Sequence, residues 1–189
     1  ATGQSLTVTN FNLGGTGGTI NLPASGTGSL TTTNLTALTG NVTYLGTGVI
    51  NITGGMTTVS TMVTNPSVTL NFTGTSTQQV THASAANFAA TLIINKDEGS
   101  VNVTGNDINV TTFTLTKGIF SANKLKASSL TQTTGDLTLT TFEHARSGST
   151  VAFNGGTTTV ATFISSGVQN GTISVAVGKT VSVTDFNVT

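Results

Sequence analysis

A six-residue pattern recurs eight times along this chain, and that recurrence restricts the fold more than any single residue does. In its clearest form it runs apolar, polar, apolar, Thr, then Asn, Asp or Thr, then Phe, as in Leu6-Thr7-Val8-Thr9-Asn10-Phe11, Ile108-Asn109-Val110-Thr111-Thr112-Phe113 and Val181-Ser182-Val183-Thr184-Asp185-Phe186. Copies start at 6, 30, 57, 83, 108, 137, 158 and 181, steps of 24, 27, 26, 25, 29, 21 and 23 residues that average 25. Repeats of about 20–50 residues mark stacked supersecondary units, none of which can bury its apolar face alone. The chain of 189 residues is therefore expected to be one domain, residues 1–189, folded as an all-β parallel β-solenoid (β-helix) of about eight rungs.

The pattern encodes strands because its first and third positions share a strand face. The aromatic at position six breaks that parity, and a corner at position five restores it; Asn10, Asn34, Asn87 and Asp185 suit such a corner because Asn and Asp tolerate left-handed backbone. Stacked in register, the sixth positions predict an interior ladder of Phe11, Leu35, Met62, Phe88, Phe113, Phe142, Phe163 and Phe186. A β-sandwich that assembles by donating a strand to its neighbour is the alternative fold.

Composition agrees. Thr supplies 44 residues and Gly 23, β-branched residues and corner formers respectively, while charged residues are 6% against the usual quarter. No Asp, Glu, Lys or Arg precedes Lys96, and formal net charge is zero, which favours association and disfavours nucleic acid, whose phosphates need basic patches. The longest apolar run, Ala89 to Ile94, is too short for a membrane span. The chain has no Cys, which removes disulfide and thiolate chemistry and is compatible with secretion.

Residues 76–120 carry a resemblance. Thr77-Gln78-Gln79-Val80-Thr81, Leu92-Ile93-Ile94-Asn95-Lys96, Gly99-Ser100-Val101-Asn102-Val103 and Phe113-Thr114-Leu115-Thr116-Lys117-Gly118-Ile119-Phe120 resemble the Thr/Gly/Asn-rich repeats of giant secreted bacterial surface proteins and adhesins. The resemblance implies an extracellular or cell-surface β-solenoid serving adhesion or a fibre, with no catalytic residues to carry over.

Candidate chemistry is sparse. Glu143-His144-Ala145-Arg146 is the densest titratable cluster and reads as a solvated corner, since strand neighbours point to opposite faces; no catalytic residue, cofactor or metal site is expected. Asp97-Glu98 and Asn106-Asp107-Asn109 offer oxygen ligands for calcium but lack the Gly-rich nonapeptide of calcium-stapled solenoids. Eight Asn-x-Ser/Thr sequons, at 34, 41, 51, 71, 102, 109, 170 and 187, follow from strand alternation, which puts Asn and Thr together on the solvent face.

The expected function is a non-enzymatic structural or adhesive subunit of an extracellular bacterial fibre or surface layer, self-associating end to end, its partners copies of itself, as a homopolymer or within a longer tandem chain, and surface glycans. Residues 6–13 and 181–188 match at every position by identity or similarity, so Leu6, Val8, Phe11, Val181, Val183 and Phe186 are the expected assembly ends. The alternatives are ice binding through Thr-x-Thr ranks, and a polysaccharide-binding or -cleaving β-helix such as a phage tail spike.

Overall fold

The computed structural model describes residues 4–13, 17–21, 28–37, 41–45, 48–58, 62–64, 68–82, 88–145, 148–166 and 170–189. Among them the strands are β1 (Ser5–Leu13), β2 (Gly17–Asn21), β3 (Ser29–Ala37), β4 (Asn41–Leu45), β5 (Val49–Ile52), β6 (Met56–Thr58), β7 (Met62–Thr64) and β8 (Thr69–Phe72). There follow β9 (Gln78–His82), β10 (Ala89–Gly105), β11 (Ile108–Gln132), β12 (Asp136–His144), β13 (Thr150–Phe153), β14 (Thr158–Ser165), β15 (Thr172–Val175) and β16 (Val181–Val188). Thirteen strands form one sheet, and β2, β4 and β7 another. No helix occurs among the described residues.

Every pairing among the described residues is parallel. Parallel neighbours need a crossover between them. Here each crossover is the rest of one lap of chain, so the fold is a parallel β-solenoid. The β-sandwich alternative, built from antiparallel sheets, is excluded by this register.

Leu6 pairs with Leu30, Leu30 with Ile50, Ile50 with Leu70, Leu70 with Leu92 and Leu92 with Phe113, laps of 24, 20, 20, 22 and 21 residues. The long strand β11 then closes a lap on itself: the Thr133 amide donates to the Leu115 carbonyl, and the Ser129 hydroxyl lies 3.3 Å from that of Thr112. Leu130 therefore stacks on Phe113, and Val151 and Ile173 continue the column. The lap is roughly 21 residues, shorter than the 25 of the hexapeptide spacing.

The difference has a structural reason. Each lap is three short runs joined by corners, as in β11, whose residues 119–122 and 124–127 pair with β12 and 130–132 with β13. We call the sides first (5–8, 129–132, 172–175), second (11–13, 119–122, 181–183) and third (17–21, 124–127, 185–188). The hexapeptide encodes strand, corner, strand, and more than one corner uses it. The copies at 6 and 30 join first side to second, those at 137, 158 and 181 join second to third, and that at 108 joins third to first. A copy that changes corner adds or removes part of a lap. Where the corner is kept, the spacing equals the lap, as between Leu137 and Thr158.

Burial follows the pattern. In β12, Leu137, Leu139 and Phe142 point inward while Thr138 and Thr140 are exposed, so the two-residue corner Thr140–Thr141 restores parity as the sequence required. Corners stack on corners. A Cβ on Gly135 would lie 2.5 Å from the Gly118 carbonyl oxygen, and one on Gly156, at φ 65°, 2.0 Å from that of Gly135. Only glycine lets these turns approach so closely.

The predicted ladder of eight does not form as one column. Phe11 and Leu35 are in register on the second side, but Leu35 is followed there by Met56 and Val80, not by Met62. The Met62 side chain lies outside the described residues. Phe113 belongs to the first-side column above Leu92, and its ring meets Phe120 across the core at a centroid distance of 4.9 Å. Phe88 packs edge-on against His82 at 4.9 Å. Leu125, Phe142, Phe163 and Phe186 do form a third-side column, with ring centroids 5.0 Å apart for Phe142 and Phe163 and 4.9 Å for Phe163 and Phe186. The eight divide because their hexapeptides turn different corners.

Candidate functional site

The two ends of the stack and its few polar clusters are where function can reside. At one end, β1 pairs only with β3 and β2 only with β4, leaving their outer edges without a strand partner among the described residues. Leu6 is 54% exposed there, and Val8 and Phe11 are half-buried. At the other end, β15 pairs only with β13 and β16 only with β14. Ile173, Val175, Phe186 and Val188 are exposed, although Val151 and Phe163, their in-column neighbours one lap earlier, are buried. Inward-facing positions in the end laps thus remain apolar, with no described residue stacked beyond them.

The like segments 6–13 and 181–188 do not occupy equivalent sides. The first spans the first and second sides and the last spans the second and third. The in-column counterpart of Leu6 is Ile173, and that of Phe11 is Val183, reached through Val80, Val103, Leu139 and Val160.

Glu143 and His144 are not a solvated corner. Both lie in β12 and, as strand neighbours, face opposite ways. Glu143, its side chain 14% exposed, receives Lys126 Nζ at 2.6 Å and Lys124 Nζ at 3.0 Å, and Lys124 also reaches Asp107 at 3.7 Å. Burial pushes the Glu143 carboxyl up, but the hydrogen bonds and charges of Lys126 and Lys124 outweigh it and hold the group below its ordinary range. His144 is fully buried, and its Nε2 lies 2.7 Å from the Ser149 hydroxyl. Desolvation lowers its pKa against a hydrogen bond to the Ser128 backbone, so the imidazole favours the neutral form. Arg146 lies outside the described residues.

Two polar plugs inside the stack escaped the sequence reading. Lys96 is fully buried at a corner, its Nζ donating to Gln78 Oε1 at 2.9 Å and to the Thr73 carbonyl at 3.4 Å, while Gln78 Nε2 donates to the Ile52 carbonyl at 2.8 Å. Gln132, also fully buried, donates to the carbonyls of Gly135 and Thr157 and accepts from the Thr158 hydroxyl. Both bind carbonyl oxygens at the corners, two of which, those of Ile52 and Thr157, also accept the backbone amides of Thr73 and Leu137.

Of the possible cation ligands, Asp97 pairs with Lys117, whose hydrogen bond and charge lower its pKa. Asn106 and Asp107 line an open polar cleft of about 320 Å³ with Gly105 and Asn123. No cluster of three His, Cys, Asp or Glu occurs among the described residues. The sequon carboxamides form outward ladders: Asn34 Nδ2 donates to Asn10 Oδ1 at 2.9 Å, Asn71 Nδ2 to Asn51 Oδ1 at 2.8 Å, and Asn102 Oδ1 accepts from Ser121.

No family model matches this chain, and neither a curated protein nor a solved structure does. The β-solenoid thus stands on the chain's own register. No described helix is long and apolar enough to cross a membrane.

Proposed function

We propose that the chain is a non-enzymatic structural or adhesive subunit of an extracellular bacterial fibre or surface layer, whose principal partners are copies of itself. The observation that carries this reading is the pair of open end laps, apolar at inward positions and bounded by strand edges of the kind that recruit further strands. Solenoids that stay apart cap their terminal repeats with polar faces. Here the first lap has no charged residue between 4 and 21, and the last has only Lys179 and Asp185. Low charge along the first half of the chain removes the repulsion that opposes association. The resemblance of residues 76–120 to secreted bacterial surface repeats points the same way, and the polar cleft at Asp107 suits a surface glycan's hydroxyls. Sedimentation of the purified chain with electron microscopy tests the proposal: filaments of constant width that lengthen with concentration are expected, and a persistent monomer at high concentration contradicts it.

One observation favours a second reading, ice binding. Ser121, Thr138, Thr159 and Ser182 stand in register on the second side, with neither charge nor aromatic ring in that rank. The Thr-x-Thr pairs do not all share this face, since Thr112 and Thr114 lie on the first side. Ice shaped by the wild-type chain but not by Thr159→Lys supports this reading, and unshaped ice crystals at high protein concentration exclude it.

A further inference from the structure

A stack that winds as a helix ends in a step, and the step decides where a second copy can seat. The last run of the chain, residues 185–188, lies on the third side. The next vacant position along the winding is therefore on the first side, above β15. We infer that a second copy of this chain seats there with side matched to side: residues 5–8 over β15, residues 11–13 over 181–183, and β2 over 185–188. The inference rests on the self-assembling reading above and names the register of that contact.

In this register Leu6 covers Ile173, Val8 covers Val175 and Phe11 covers Val183, each extending its own interior column by one lap. Ser5 meets Thr172 and Thr7 meets Ser174, continuing outward columns that already pair Thr150 with Thr172 and Ala152 with Ser174. All three open runs at one end thereby gain a parallel partner from the other, so no strand edge is left between copies.

The sequence likeness points to a different register, with Leu6 over Val181 and Phe11 over Phe186. That arrangement turns the second copy by one side and starts it above the second side. The place above β15 then stays empty, leaving Ile173 and Val175, 41% and 46% exposed, uncovered in the middle of a fibre. The likeness has another source, because both segments turn a corner and the hexapeptide encodes a corner.

The chain has no Cys, so disulfide trapping is free of background. Two double variants at outward hydroxyl positions separate the registers: Thr7→Cys with Ser174→Cys, and Thr7→Cys with Ser182→Cys. Mild oxidation is expected to convert the first into a ladder of covalent multimers and to leave the second without one. A ladder from the second variant, alone or equally with the first, overturns the side-matched register while leaving self-assembly intact. Absence of a ladder from either, with both variants sedimenting as monomers, overturns the contact together with the reading beneath it. If neither gives a ladder yet filaments are seen, the register alone is overturned.

Discussion

Replacing Phe163 by alanine lowers the free energy of unfolding by about 3–5 kcal/mol, as deletion of a buried aromatic ring does where the surroundings cannot collapse. Phe163 is buried in the middle of the third-side column, with Phe142 at 5.0 Å and Phe186 at 4.9 Å. Its neighbours are held by ladder bonds on both edges of β14, so a vacancy there cannot close by a local backbone shift. The same change at Phe186, a residue 54% exposed, costs the monomer much less. Denaturant unfolding of the two variants checks this pair. Equal losses at both positions would show that burial along the column is not what holds the laps together.

The second large effect comes from the polar plug. Gln78→Leu removes the acceptor that holds the buried Lys96 amine and leaves only the Thr73 carbonyl at 3.4 Å, a loss of about 2–3 kcal/mol. Adding Lys96→Met restores most of it, because an apolar pair of similar volume needs no desolvation of an amine. The interaction energy from the double-mutant cycle is expected to be large, and additive losses would contradict the plug. The pH dependence has a definite sign. Burial lowers the Lys96 pKa from 10.5, and the charge of Asp97 opposes this only in part. Between the folded value and 10.5 the unfolded chain holds the proton more tightly, so stability rises with pH through that window. Lys96→Met flattens the rise.

Alternation of apolar and polar residues in Leu137-Thr138-Leu139 and its counterparts was enough to show strands, and the Thr-Asn, Thr-Thr or Thr-Asp before Phe11, Phe113, Phe142 and Phe186 was enough to show corners. Lap length was not legible in the same way. The hexapeptide reports a corner without saying which, so Phe113 was aligned with Phe88 although it stacks on Leu92. Parity along the long strand β10 could have helped: Leu92 and Ile94 are followed by a buried Lys96, a polar residue in an inward position, which marks a corner plug. Lysine is so rarely buried that its composition signal points outward, and the acceptors supplied by Gln78 and the Thr73 carbonyl make the interior position tolerable. The ends were legible as apolar segments, but their sides were not, because a side is defined by the running count of corners and not by any local residue.

The most direct test of the account is a map of interstrand backbone contacts by NMR. The account predicts parallel contacts of residues 91–94 with 112–115 and of residues 137–139 with 158–160, the former also touching 69–72 on the opposite edge. Contacts of residues 91–94 with a segment 25 residues away, or an antiparallel pattern anywhere along β10 to β14, would contradict it.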